Sequence, residues 1–328
     1  MTAEGNILEV KSLQTYFYPE AGLVKAVDGL SYHVKKGESV GLVGESACGK
    51  SVSALSILRL IPYPPGLIIG GKIIFKGHDL LEVSESEMHH IRGNRIAMIF
   101  QEPTTSLNPV ISVQKQVSEA LKLHRGLNKN EAAQEALELL QLVGIPDSKR
   151  RMTDYPYQFS GGMQQRLMIA MALSCDPELL IADEPTTSLD VTVQAQILEI
   201  IDDLRSKFET SVILITHNLG IVARYVDRVN VMYAGRLVET APTEVLYIQP
   251  RHPYTVGLLA SVPRLDRPRG IKLVPIKGQP PDLAALPKGC AFAPRCGYAA
   301  DRCLEEKPEL VKVGDDHFCA CFIDIRTH

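Results

Sequence analysis

No apolar run in this 328-residue sequence approaches the roughly 18 residues needed to cross a bilayer. The longest candidates are stretches as short as Val212–Ile215, so any work at a membrane requires a separate membrane partner. The opening Met1-Thr2-Ala3-Glu4-Gly5 lacks the charged and apolar regions of a secretory signal, and a chain that stays in the cytosol is expected. An excess of basic charge is missing too. The formal charge is −3 with acids and bases interspersed, which leaves no field to hold nucleic acid by phosphate neutralisation. There is no tryptophan, no low-complexity tract and no short repeat of the kind that builds a solenoid. What remains is 45% apolar, as an ordinary globular protein is.

The apolar residues are arranged for a covered parallel sheet. Ser39–Val43 is a β-rich run that ends in glycines, and Ser51–Leu60 follows at helical spacing, giving strand, turn and helix. Ile96–Phe100, Leu179–Ala182 and Val212–Thr216 are short, continuous and separated by helical stretches, the pattern of strands buried on both faces. The fold class expected is α/β. Val113–His124 and Lys129–Val143 read as two amphipathic helices with no strand between them, a helical subdomain inserted within about residues 102–174. Beyond residue 248 prolines recur and periodicity fades, which divides the chain into 1–248 and an irregular extension, 249–328.

Between that first strand and helix, Gly44-Glu45-Ser46-Ala47-Cys48-Gly49-Lys50-Ser51 fits the phosphate-loop pattern G-x-x-x-x-G-K-[ST]. Backbone N–H groups and the positive start of the helix surround phosphate oxygens, Lys50 neutralises the β and γ charges, and Ser51 ligates Mg²⁺. Ala47 tolerates positive φ poorly, so negative φ or a small local strain is expected there. The strand Leu179–Ala182 ends in Asp183 and Glu184, the first placed for the Mg²⁺ shell and the second to orient and deprotonate a water. Standing alone, such a pair would more often be a solvated turn. Phe159-Ser160-Gly161-Gly162-Met163-Gln164-Gln165-Arg166 opens another helix with a hydroxyl and two glycines, a second set of free N–H groups for an anion.

Taken in order, the phosphate loop, Gln101, Ser160 to Gln165, Asp183-Glu184, Ser188-Leu189-Asp190 and His217 resemble the motifs of the ABC-transporter ATPases. The resemblance implies the ABC nucleotide-binding fold, a phosphate-loop core with antiparallel β and helical subdomains. It also implies a head-to-tail dimer, in which ATP on one phosphate loop is completed by the other subunit's Ser160, Gly161, Gly162 and Gln164. By the same resemblance Gln101 touches Mg²⁺ and relays to the membrane subunit, Asp190 lies at the nucleotide, and His217 contacts the γ-phosphate. Asn218 stands where members of the family usually carry Asp. Adenine stacks on an aromatic residue upstream of the loop, for which Phe17 aligns best among Tyr16, Phe17 and Tyr18.

Gln101 to Pro109, Asp183 to Gln196 and Arg251-His252-Pro253-Tyr254-Thr255 resemble segments of the oligopeptide, dipeptide and nickel importer ATPases, most of all the dipeptide and oligopeptide D-type subunits. This closer resemblance implies a transport-coupled ATPase at the cytoplasmic face of the cell membrane. Its partners would be two permease subunits, a second ATPase subunit and an extracytoplasmic peptide-binding protein.

Five of the seven cysteines crowd the last forty residues, which in a reducing compartment points to metal before disulfides. In the resembling group Cys290, Cys296, Cys303 and a closing cysteine hold a [4Fe–4S] cluster in some members. Cys321 aligns as the fourth ligand and Cys319 competes for it. Four thiolates suit such a cluster, and zinc or no metal stay open. Two other readings compete for the whole chain. An ABC-type ATPase working on DNA or ribosomes would show tandem cassettes or long heptad runs, which are missing; a nucleotide-binding scaffold without turnover would not need Lys50, Glu184 and His217 together.

Overall fold

A computed structural model describes residues 5–20, 22–187, 189–261 and 275–327. The opening four residues and Ser188, which carried expectations above, lie outside the described residues, as do Pro263 and Pro268 among the prolines that recur beyond residue 248. In chain order the strands are β1 (Asn6–Phe17), β2 (Val24–Lys35), β3 (Ser39–Val43), β4 (Gly66–Phe75), β5 (His78–Asp79), β6 (Ile96–Ile99), β7 (Leu179–Asp183), β8 (Ser211–Thr216), β9 (Arg228–Tyr233), β10 (Arg236–Pro242), β11 (Val311–Gly314) and β12 (His317–Cys319). The helices are α1 (Lys50–Ile57), α2 (Glu85–Ile91), α3 (Pro103–Ser106), α4 (Val113–Arg125), α5 (Lys129–Leu142), α6 (Ser148–Arg151), α7 (Gly161–Leu173), α8 (Val191–Phe208), α9 (Leu219–Tyr225), α10 (Thr243–Ile248), α11 (Pro253–Ala260) and α12 (Asp301–Glu305). They form two compact units that alternate along the chain: residues 1–34, 39–81 and 214–328, and residues 35–38 and 82–213.

The first unit carries the antiparallel sheet β2-β1-β4-β5, with β1 and β4 registered from Leu8 opposite Phe75 to Phe17 opposite Gly66. Leu8, Leu13, Leu30, Val34, Ile57 and Ile73 are fully buried there. A second run of strands has the order β11-β12-β10-β9-β3, in which β3 and β9 are parallel and the rest antiparallel. Every residue of β3 is buried, as its largely apolar run requires, and so is every residue of β9, Arg228 and Asn230 included. The helix expected over Ser51–Leu60 stops at Ile57. Arg59 turns left-handed (φ 52°), and the Leu60 N–H closes onto the Leu55 carbonyl at 2.8 Å, ending the helix three residues early.

The expectation of an irregular extension also needs correcting. Pro253–Ala260 is helical, and β11 and β12 form a hairpin that joins the sheet, Glu239 of β10 standing opposite Cys319 and Thr240 opposite Phe318. The hairpin turn contains Asp316 at φ 51°, a conformation Asp accepts more readily than most residues.

In the second unit β6 and β7 pair in parallel, Ile96 opposite Leu179 and Ile99 opposite Ala182. Between them the described residues are helical, with no strand. Helix α5 begins with a capping box: Asn128 Oδ1 accepts from Asn130 N–H (2.9 Å) and Glu131 N–H (3.1 Å), and the Asn128 N–H donates back to Glu131. Helix α4 stops at Gly126, whose φ of 66° is the left-handed end that glycine allows. Helix α7 is buried nearly all round, from Leu167 to Leu173, and so serves as the centre of the helical layer.

Candidate functional site

The phosphate loop is shaped by two glycines that nothing larger could replace. A Cβ on Gly44 would stand 2.2 Å from the Met232 carbonyl oxygen, and one on Gly49 2.1 Å from that of Ala26; Gly49 is also left-handed, φ 101°. Ala47 adopts φ 62°, so the expectation of negative φ fails and the strained alternative holds. The loop's curl fixes that angle, whatever the side chain prefers. Helix α1 starts at Lys50 without a side-chain cap, and the Lys50 ammonium donates to the carbonyls of Gly44 (2.8 Å) and Glu45 (2.9 Å). Ser46 and Ala47 are exposed, Ser51 is half-buried, and the Cys48 thiol is buried, which pushes its pKa up despite the Lys50 charge 3.8 Å away.

In the same unit His217 is exposed directly after β8. Asn218, in place of the family's usual Asp, caps α9 by accepting from the Gly220 N–H at 3.0 Å. The three aromatics differ. Tyr16 is buried and donates its hydroxyl to Asp28 at 2.7 Å, Tyr18 is 53% exposed, and half-buried Phe17 covers Gly66 with its ring. Tyr16 is therefore a core residue.

In the second unit β7 delivers the carboxylates. Asp183 closes the strand and is 4% exposed. Glu184 turns left-handed (φ 45°), and its carboxylate accepts from Gln101 Nε2 (3.2 Å) and Thr187 Oγ1 (2.8 Å). Gln101 itself is exposed at the end of the β6 segment. Ser160 is the N-cap of α7, accepting from Met163 N–H at 3.4 Å, with Gly161 exposed behind it. At Gly162 a Cβ would meet Val193 Cγ1 at 2.9 Å, so the absence of a side chain lets α7 approach α8. Gln164 must be withdrawn from the ligand-facing set. It is buried, and its amide nitrogen donates inward to the Pro156 carbonyl at 2.9 Å, because one turn into a buried helix its side chain faces the preceding 3₁₀ turn. Asp190 is exposed and caps α8 through Val193 N–H at 3.0 Å.

The family profile described as "ABC transporter" matches residues 27–187, and that described as "Oligopeptide/dipeptide transporter, C-terminal region" matches residues 238–303. The oligopeptide transport ATP-binding protein OppD of Bacillus subtilis is 52% identical over 312 residues, 95% of this chain and 87% of that protein. The probable peptide ABC transporter ATP-binding protein y4tR of Sinorhizobium fredii is 52% identical over 316 residues, 96% of this chain and 94% of that one. This chain is a member of the peptide ABC-transporter ATP-binding family. Among solved structures, the dimeric bacterial ABC transporter cassette MJ0796 aligns with a TM-score of 0.65 at 25% identity, over 72% of this chain and 98% of that one. The cassette cbiO1 from Clostridium perfringens, part of the cbiONQ ABC transporter complex, aligns with a TM-score of 0.63, over 75% and 92%.

The C-terminal-region match ends at Cys303, short of Cys321. Cys290, Cys296, Cys303 and Cys321 nevertheless line one cavity, together with Phe292 and Phe322. Cys319 is absent from that lining: it is buried on β12, where burial and then the Glu239 carboxylate drive its pKa far up. Among the described residues no group of three or more His, Cys, Asp or Glu is arranged to hold a single metal ion. Two contacts of the phosphate loop were not foreseeable from its motif. The Glu45 N–H donates to Tyr254 Oη at 2.8 Å and the Glu45 carboxylate pairs with Arg295 at 2.6 Å. Nothing local in the sequence could have signalled a pair 250 residues apart.

Proposed function

We propose that this chain is the ATP-hydrolysing subunit of a bacterial ABC importer of peptides. It couples ATP binding and hydrolysis in an ATPase dimer to uptake through two permease subunits fed by an extracytoplasmic peptide-binding protein. The observation that carries the reading is the phosphate loop, with Lys50 held by two loop carbonyls at the uncapped start of α1, in a chain over half identical along its length to peptide transport ATP-binding proteins. In this reading the subunit works from the cytoplasmic face, docked on its permeases. No helix among the described residues is long and apolar enough to cross a membrane.

Gly44, Ser46, Ala47, Cys48 and Gly49 offer backbone N–H groups to phosphate, Lys50 neutralises the β and γ charges, and Phe17 stacks on adenine. Ser51, Gln101 and Asp183 would hold Mg²⁺, whose charge would offset that of the phosphates. Glu184 orients and deprotonates the attacking water, and His217 contacts the γ-phosphate. Ser160, Gly161, Gly162 and Asp190 act from the neighbouring ATPase. Residues 1–248 form the nucleotide-binding part, including a helical subdomain over about 102–174, and residues 249–328 the extension. Purified subunit should split ATP. Glu184→Gln should bind ATP with turnover down about a hundredfold or more, the usual size of a lost general base, whereas Lys50→Ala should lose binding. Near-wild-type turnover in Glu184→Gln would sink the assignment of the base.

The extension is read as the seat of a [4Fe–4S] cluster on Cys290, Cys296, Cys303 and Cys321. Support comes from the four thiols that line one cavity, the donor number and type such a cluster takes. Such a cluster would cross-link the turns that carry its ligands. Anaerobically purified protein should contain about four irons and four sulfides per chain; Cys321→Ser should lower both and Cys319→Ser neither. Zinc in their place would retire the cluster.

A further inference from the structure

The phosphate loop is held from outside its own motif. Its second residue, Glu45, donates its N–H to Tyr254 Oη at 2.8 Å, and both its carboxylate oxygens accept from one guanidinium, Arg295 Nη1 at 2.6 Å and Nη2 at 3.0 Å. This fork-to-fork pair is the geometry in which arginine gives direction as well as charge. The Arg295 side chain is only 6% exposed. Its Nε donates to the Lys277 carbonyl at 2.9 Å, and the rings of Tyr233 and Phe292 flank its central carbon at 5.9 and 6.0 Å. A guanidinium so enclosed has little freedom, and it passes that restriction to Glu45. The Glu45 carbonyl, in turn, accepts from the Lys50 ammonium at 2.9 Å.

Charge supplies a second reason. An acid beside the loop's first glycine would repel the phosphates that the loop exists to hold, and the guanidinium neutralises it in place. The arginine arrives from the segment that carries the thiols. Ala293–Arg295 is one 3₁₀ turn, started by the Ala293 N–H on the Cys290 carbonyl (3.1 Å) and closed by the Cys296 N–H on the Ala293 carbonyl (3.2 Å). A cavity of about 280 Å³ is lined by Glu45–Cys48 and by Pro280–Leu283, so this part of the extension borders the loop directly.

We propose that Arg295 is a positioning residue for nucleotide binding: it neutralises and fixes Glu45, and through the Glu45 carbonyl it sets where the Lys50 ammonium stands. The proposal rests on the nucleotide-binding reading above.

The test measures ATP and ADP affinity, KM, kcat and iron content for full-length wild type, Arg295→Ala, Arg295→Lys, Glu45→Gln and the double variant Glu45→Gln/Arg295→Ala. Arg295→Ala should weaken nucleotide binding and raise KM by about tenfold, the worth of one charge-assisted contact, with kcat within about twofold of wild type. Arg295→Lys should recover part of the loss. Glu45→Gln, which removes the charge in need of compensation, should cost less than Arg295→Ala, and the double variant should bind better than Arg295→Ala alone. Wild-type affinity in Arg295→Ala, strict additivity in the double variant, or a fall in kcat at constant KM would each overturn it. Loss of affinity in Arg295→Ala only in step with loss of iron would overturn it too, because the effect would then belong to the thiol segment. Should Arg295→Ala not fold, the order wild type, Glu45→Gln, Arg295→Lys in rising Kd decides the matter, and the reverse order of the two variants refutes it. Failure of wild type to bind ATP, or unimpaired binding by Lys50→Ala, would instead count against the nucleotide-binding reading itself.

Discussion

At the scale of single residues, side chains beside the phosphate loop and on the strands under it are paired for stability as much as for chemistry. Asp28 is a clear case. Burial pushes its carboxyl pKa up, but the hydrogen bonds from Tyr16 and Arg236 and the Arg236 charge outweigh it, and the net shift is downward from 3.8. A carboxyl with a lowered folded pKa stabilises the fold above its unfolded pKa, and that stability is lost as pH falls through the folded value. Asp28→Asn should therefore cost about 1–2 kcal/mol at pH 7, a modest figure because the Arg236 side chain is partly exposed. The gap between variant and wild type should narrow as pH falls from about 4 through the folded value, and denaturation midpoints at pH 7 and pH 2 check it. An equal gap at both would show that the charge plays no part. Residue positions were legible where a motif fixes the backbone: Lys50, Glu184 and Ser160 stand at the element boundaries that their spacing implied. They were not legible where packing decides. Gln164 lies inside the signature motif yet turns into the core, and Ala47 takes the φ that the loop imposes on it.

At the scale of elements, the buried parallel strands could be read because a strand covered on both faces is an unbroken apolar run, as β3, β7 and β8 are. The amphipathic helices α4 and α5 could be read because their caps and apolar stripes agree. The hairpin β11–β12 could not. Its strands are four and three residues long, β11 is largely exposed, and the partner that makes β12 a strand lies far back in the chain. What fixes the hairpin there is Glu239, fully buried on β10. Its carboxylate accepts from the N–H groups of Arg251 (2.6 Å) and His252 (2.9 Å) and contacts His317 Nε2 at 2.8 Å, tying β10 to the start of α11 and to β12. Glu239→Ala would leave these groups buried without a partner and should cost about 3 kcal/mol or more. Hydrogen exchange at Phe318 and at Ala320, whose N–H bonds the Val238 carbonyl, should rise well before exchange in β3 does. Uniform protection across both would place the anchor elsewhere.

At the scale of the whole molecule, the chain is an ABC-family cassette, and cassettes of this fold are found as dimers in the solved structure of MJ0796. With Ser160 and Asp190 exposed at helix starts, each nucleotide is expected to need a second cassette. Turnover per chain should then rise with the concentration of the chain or of a homologous second ATPase, and Glu184→Gln with ATP should sediment as a dimer. Turnover per chain that stays constant on dilution would argue for a self-sufficient monomer.

The antiparallel pairing of β12 with β10 has a consequence for how the protein is made. Glu239 and His317 are 78 residues apart, so a ribosome finishes β10 long before it supplies the strand that covers it. During that interval a row of backbone donors and acceptors stands uncovered, open to pairing with a stranger. A chain cut short before Val311 would never close that row and should collect in the insoluble fraction, however sound its phosphate loop.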